Sequence, residues 1–320
     1  MRVTIRRYAL IMTTAITTLL SLAGCSDQQQ DALLEQTLNM AREAASLELK
    51  QSQLSDVSMT YLERQTDGPV MLLLHGFSAN KDNWLQFSNE LPKHFHLIIP
   101  DLAGHGDTPA PEGGDYGLVR QAERLHELMQ NLKIDQFHIA GNSMGGAISA
   151  IYSTLYPQDI QSLTLIDAAG VEAPNPSEYM EGLKDGKNPL IATDKESFEY
   201  RLDFVMSKAP PLPWPLRPAM MRKAVARVDL NRAIFSDMIA TKDQLAASGF
   251  EAQLEEHITM PTLIIWGEED RVLDVSAVEV FKEKIPHAKV KIYPEIGHLP
   301  MIEIPQQTAE LYADFVASAE

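Results

Sequence analysis

The sequence predicts an α/β fold: a mostly parallel, open sheet flanked by helices, with a helical cap inserted late in the chain. Three observations predict it. Short apolar runs bounded by turn residues, such as the one inside GPVMLLLHGF, have the pattern of strands buried on both faces. Such runs alternate with amphipathic helical stretches, the order that a parallel sheet with covering helices requires. Between Val171 and Ile258 that rhythm breaks: APPLPWPLRP is too proline-rich for regular structure, and the stretches around it are helical and rich in Met and Arg.

At the N-terminus, Arg2, Arg6 and Arg7 precede an apolar or hydroxylated run from Tyr8 to Leu20, too short for a comfortable membrane span and of the form of an export signal. It ends in Leu22-Ala23-Gly24-Cys25, which closely resembles the bacterial lipoprotein box. That resemblance implies removal of residues 1–24 as a lipoprotein signal peptide and acylation of Cys25 as the new N-terminus. Cys25 is the only cysteine in the chain, so no internal disulfide can form, and lipid attachment would consume a thiol that is a liability in an oxidising compartment. Each buried methylene of an acyl chain adds roughly 0.8 kcal/mol, so several chains anchor stably where one does not. In lipoproteins of this kind Ser after the cysteine, here Ser26, points to the outer membrane. The expected location is therefore the bacterial cell envelope, on the outer membrane, with the membrane reached through the N-terminal lipid anchor.

Residues 25–46 read as a tether. Leu33, Leu34, Leu38, Ala41 and Ala45 fall on one helical stripe, fitting a spacer that lifts the domain off the bilayer or a helix lying on it; the acidic polar face favours the spacer. Leu47 to Leu54 and Val57 to Glu63 alternate as strands. After the GPVMLLLHGF strand come an amphipathic segment from Trp84 to Leu91, a strand Phe95 to Ile99, a helix Tyr116 to Leu132, a strand Phe137 to Ala140, a helix Gly145 to Tyr156 and a strand Ser162 to Ile166. The alternation resumes with a strand in MPTLIIWG, a helix Val275 to Lys284, a strand in AKVKIYP and a closing helix Pro305 to Ser318. The chain thus divides into a core, residues 47–170 and 259–320, and a cap, residues 171–258. The cap methionines Met180, Met206, Met220, Met221 and Met238 read first as core filler, though their flexibility also suits a lid over an apolar substrate.

With 320 residues, 45% of them hydrophobic and 22% charged, a large core is available. The formal charge of −17 leaves no basic face for nucleic acid and repels an anionic substrate on approach. Nothing in the sequence calls for an obligate protein partner.

The chemistry-bearing stretch is Gly141-Asn142-Ser143-Met144-Gly145, a G-x-S-x-G pattern with a strand before it and a helix after it. A serine hydroxyl is a poor nucleophile until a base takes its proton and it projects where a carbonyl can reach it. Small residues on either side let a strand turn tightly into a helix and leave Ser143 on the apex. The base is expected at His298, in IGHLPMIE after the last strand, where strand ends gather in an open sheet. His75 follows a buried strand directly, but the Gly76 and Phe77 after it favour a structural role. A histidine base needs a carboxylate to hold its tautomer and stabilise its charged form. Glu268, Glu269 and Asp270 follow one strand and Asp167 ends another, so four acids compete. His94 and His96 lack the partners of a zinc site; neither a metal nor another cofactor is expected.

LLLHGFSANKDNW, PDLAGHGDT, GNSMGG, IIWGEEDRVLDVS and IGHLPMIEIP, in that order, resemble an α/β-hydrolase of the lipase and monoacylglycerol-lipase group, from about Leu47 to Phe315. The resemblance favours Asp270 over its rivals, because Ser143, Asp270 and His298 follow the family's nucleophile, acid, base order. It implies an oxyanion hole built from the backbone N–H groups of Phe77 and Met144. The implied activity is hydrolysis of carboxylic esters through an acyl-enzyme, with neutral acylglycerols or other lipid esters as substrates. Two alternatives stand beside it. GNSMGG is also similar to hydrolases that cleave carbon–carbon bonds of meta-cleavage products, although those carry a Gly-rich turn after the His-Gly pair where Phe77 and Ala79–Trp84 stand here. The third reading is a tethered, non-catalytic binding scaffold.

Overall fold

A computed structural model describes residues 25–319; the segment expected to be a signal peptide, residues 1–24, lies outside the described residues. Strands β1 (Glu48–Gln53), β2 (Ser58–Arg64), β3 (Val70–Leu74), β4 (His96–Pro100), β5 (Phe137–Asn142), β6 (Ile160–Ile166), β7 (Thr262–Gly267) and β8 (Lys289–Tyr293) form one sheet, in the order β1-β2-β4-β3-β5-β6-β7-β8. β2 pairs antiparallel with β1 and with β4, and every later pairing is parallel. This is the α/β architecture expected from the alternating pattern.

Helices on both sides of the sheet explain why its strands read as unbroken apolar runs. Leu72 and Leu74 of β3 and Ile264 and Trp266 of β7 point into one core. Met71 and Leu73 of β3 and Leu263 and Ile265 of β7 point into the other. Each such side chain contributes roughly 1.5–3 kcal/mol on full burial, and a one-residue slip of a strand would exchange the two sets.

The N-terminal helix α1 (Asp27–Ala44) begins before the expected stripe, because Ser26 and Gln29 form a reciprocal capping box, Ser26 Oγ accepting from Gln29 N at 3.3 Å and Gln29 Oε1 from Ser26 N at 2.8 Å. Its apolar stripe is turned onto the domain: Leu34 is buried, and Leu38 and Ala41 pack against the second core. Arg42 is held by Asp82 at 2.7 Å.

α2 (Leu85–Glu90), α3 (Leu118–Leu132) and α4 (Met144–Leu155) follow in the core. Between β6 and β7 lie α5 (Glu178–Lys184), α6 (Lys195–Val205), α7 (Leu216–Val225), α8 (Val228–Ala247) and α9 (Phe250–His257). After β7 come α10 (Ala277–Lys284), α11 (Pro300–Glu303) and the closing α12 (Pro305–Ala317). The proline-rich stretch is less irregular than its composition implies, since α7 already starts at Leu216 and takes in Pro218. A proline in the first turn gives up an N–H that has no intrahelical partner anyway. Arg222 of α7 reaches back to Asp27 at 3.0 Å and Asp31 at 2.5 Å, so α1 and α7 are joined. Among the described residues no helix is long and apolar enough to cross a membrane.

Candidate active site

Parallel strands deliver the residues that follow them to one edge of the sheet, and the chemistry-bearing side chains gather there. Ser143 follows β5, Asp167 follows β6, Asp270 lies just past β7, His298 lies beyond β8, and Gly76 and Phe77 follow β3.

Ser143 takes φ 57° and ψ −120°, a conformation that costs a non-glycine residue of order 1–3 kcal/mol. The surroundings hold it there. Its N–H donates to Ile166 O at 3.1 Å, and its carbonyl accepts from Gly146 N at 2.9 Å, Ala147 N at 3.1 Å and Ala169 N at 3.0 Å. The flanking glycines are required by close approach. A Cβ on Gly141 would meet the Gly145 carbonyl, and one on Gly145 would lie 2.6 Å from His75 O.

His298 and Asp270, 28 residues apart, are joined by a 2.7 Å hydrogen bond from Nδ1 to Oδ2, and both are buried. The other carboxylate oxygen of Asp270 accepts from Val272 N at 2.7 Å and Leu273 N at 3.1 Å, which fixes the carboxylate plane. The backbone of His298 is gripped twice: its N–H donates to Val205 O of α6 at 3.0 Å, and its carbonyl accepts from the Asn142 side chain at 3.0 Å. Asn142 thus ties the residue before Ser143 to the histidine loop, a role that no spacing in the sequence signals. The Ser143 hydroxyl itself makes no hydrogen bond to His298 in this structure; apo sites commonly tighten that contact only when substrate binds.

The loop after β3 packs onto the serine, with a Cβ built on Gly76 falling 3.0 Å from the Ser143 Cβ. Among the described residues, neither the Phe77 nor the Met144 N–H has a protein acceptor. His75 is wholly interior: its Nδ1 lies 2.8 Å from Gly76 O, its Nε2 accepts from Leu102 N at 3.1 Å, and burial pushes its pKa down.

Asp167, the rival acid, is also fully buried, at a positive φ of 43°. One oxygen accepts from Gly267 N at 2.8 Å, and the other has no partner. One ligand atom from each of Asp167, Asp270 and His298 lies within 4.8 Å of the others, the one such grouping among the described residues. Burial first, and then the neighbouring charge of Asp270, hold the Asp167 carboxyl well above the usual carboxylate range. Asp270 has three N–H groups facing it, where Asp167 has one. The two acids are separated by environment, which residue spacing alone does not reveal.

Beside Met144 opens a cavity of about 670 Å³, walled mainly by apolar side chains such as Ile151, Tyr179, Phe235 and Leu273. Met180 and Met238 are on its wall and only partly buried, so these two do not serve as pure core filler.

A model of the alpha/beta hydrolase fold matches residues 69–305 of the chain. Lipase 3 of Moraxella sp. (strain TA144) is 37% identical over 306 residues, 92% of this chain and 94% of that protein. Monoacylglycerol lipase ABHD6 of Rattus norvegicus is 30% identical over 288 residues, covering 87% of this chain and 84% of its own length. Among solved structures, a membrane phospholipase A described as a bacterial virulence factor superimposes with a TM-score of 0.85 at 36% identity, covering 98% of this chain and 99% of that one.

Proposed function

The chain belongs to the alpha/beta hydrolase fold family, and from that premise we propose that it is a carboxylic ester hydrolase that cleaves lipid esters by acyl transfer through Ser143. Its relatives include lipases and monoacylglycerol lipases, and neutral acylglycerols are the substrates that fit the apolar cavity beside Met144. The observation that carries the mechanism is the 2.7 Å bond between His298 Nδ1 and Asp270. A carboxylate on Nδ1 fixes the proton there and leaves Nε2 as a lone pair free to accept the serine proton.

In the first step Ser143 Oγ attacks the ester carbonyl while His298 Nε2 takes its proton; the C–O bond to the alcohol then breaks and the imidazolium protonates the departing oxygen. In the second step His298 deprotonates water, which attacks the acyl-serine; the released acid leaves and Ser143 recovers its proton. The Phe77 and Met144 N–H groups face the developing oxyanion, each worth roughly 3 kcal/mol by analogy with measured donor deletions. Residues 171–258 serve as the cap over this centre and residues 47–170 and 259–320 as its core. Cys25 carries lipid that holds the enzyme in the cell envelope, on the outer membrane, with α1 bringing the tether to the cap.

The test is labelling by a serine-directed fluorophosphonate, followed by hydrolysis across p-nitrophenyl esters and mono-, di- and triacylglycerols. Labelling at Ser143 with turnover of lipid esters is the expected result. A folded protein that is unlabelled, or that cleaves only vinylogous diketones, overturns it.

A further inference from the structure

Most arginines among the described residues face acids. Arg42 is paired with Asp82, Arg124 with Asp56, Arg217 with Glu199, Arg222 with Asp27 and Asp31, and Arg271 with Glu178. Arg64, which lacks an acid, donates instead to four backbone carbonyls. Arg201 on α6 has neither arrangement. Two of the five N–H donors of a guanidinium are used, both on Ser78: Nη1 to Oγ at 2.7 Å and Nη2 to the carbonyl at 3.2 Å. The side chain is only partly exposed, and burial alone pushes its pKa down to about 10, with no carboxylate acting against it.

The position matters more than the missing partner. Ser78 follows Phe77, whose N–H faces the proposed oxyanion, and lies two residues beyond Gly76, where an added Cβ would fall 3.0 Å from the Ser143 Cβ. One helical turn after Arg201, the carbonyl of Val205 holds the backbone N–H of His298 at 3.0 Å. α6 therefore bridges the loop over the serine, through Arg201, and the loop of the base, through Val205. Asn231 of α8 donates to the same Ser78 hydroxyl from Nδ2 at 3.4 Å, is almost fully buried, and keeps its amide oxygen without any partner. With the amide turned about, its oxygen accepts from the Ser78 hydroxyl and Nδ2, a donor, is the unmatched end, which is the orientation an anion would select. Arg201, Asn231 and Ser78 together present more donors than acceptors, in surroundings otherwise filled with aromatic and aliphatic side chains, Phe77 from the core and Phe204, Ile234 and Phe235 from the cap.

A guanidinium only partly in water and without a counter-charge is a ready partner for an anion, and its planar fork matches the oxygens of a carboxylate or phosphate. We propose that Arg201, with Ser78 and Asn231, forms an anion site on the loop that follows β3, next to the Ser143 centre, and that it receives an oxyanion group of the lipid. This deepens the lipid-esterase reading and rests on it. The group has two sources, the phosphate of a phospholipid substrate or the carboxylate of the fatty acid just released. The overall negative charge slows the arrival of either, while the local guanidinium holds the one that arrives.

Two ratios separate the sources. For the first, kcat/KM is measured on 1-dodecanoyl-lysophosphatidylglycerol and on 1-dodecanoylglycerol; for the second, inhibition constants are measured for dodecanoate and dodecanol. In Arg201→Gln at least one ratio is expected to shift tenfold or more against the anion. A shift in the first assigns a phosphate headgroup, and a shift in the second assigns the product carboxylate. Arg201→Lys keeps the charge without the fork, and an intermediate shift is expected; it also serves as the test if the Gln variant fails to fold. Dodecanoate is also titrated calorimetrically into the Ser143→Ala protein, with and without Arg201→Gln, which reads the site with no turnover and so apart from the esterase reading. Both ratios unchanged within twofold, with dodecanoate binding unaffected, overturns the proposal.

Discussion

Replacing Asp270 by asparagine tests the proposed chemistry through a single atom. Oδ1 of Asp270 accepts from two backbone N–H groups, Val272 at 2.7 Å and Leu273 at 3.1 Å, while Oδ2 faces His298 Nδ1 at 2.7 Å. In Asp270→Asn the amide oxygen must stay with the two backbone donors, since an amide N–H there would meet both of them head-on. The NH2 group then falls opposite Nδ1, and the ring accommodates it only by moving its proton to Nε2. A protonated Nε2 cannot take the Ser143 proton, so kcat is expected to fall about 10⁴-fold, close to 5 kcal/mol of barrier. Hydrolysis of p-nitrophenyl butyrate at saturation measures the effect, with thermal unfolding to show that the fold is intact. A loss smaller than about a hundredfold in a folded variant would refute the tautomer argument. Should Asp167 take over as the acid, the single variant would keep most of its activity and Asp167→Asn added to it would remove the remainder.

Two further outcomes are expected. Ser143→Gly should abolish ester hydrolysis and yet raise the denaturation midpoint, because glycine accepts φ 57° and ψ −120° and releases part of the 1–3 kcal/mol or so held at that bend; a midpoint that falls counts against strain at the serine. Asp167→Asn should alter the pH dependence of stability. The folded-state pKa of Asp167 is raised, so its contribution to stability is complete below the unfolded value of about 3.8 and is lost as pH rises toward the folded value. Denaturant unfolding at pH 5 and pH 8 should therefore show a smaller decline in the variant than in the parent, and an equal decline would show that Asp167 is ionised in the folded protein.

Much of the fold was legible because hydrophobic periodicity is a local property. The runs at Met71–Leu74 and Leu263–Trp266 announced strands covered on both faces, and the glycines around Ser143 announced a bend that other side chains would block. The stripe on α1 was legible too, but its partner was not: Leu34 faces this domain, and Arg222, far along the chain, holds the start of the helix. Composition misled at Leu216–Pro218, where a proline in the first turn is tolerated.

The sequence by itself determined which groups could do chemistry, since residue type and the place after a strand end are properties of the chain: Ser143 on its bend, His298 after the last strand, and several acids near strand ends. Only the tertiary structure set those acids apart, putting Asp270 against His298, and placed Arg201 against Ser78 of the loop beside the serine. Protonation and pairing depend on distance and on exclusion of water, and both are set by segments far apart in the chain. Asp167 and Asp270 are the same side chain, and they differ only in what the folded sheet puts against them: one backbone N–H on the first, two backbone N–H groups and an imidazole on the second.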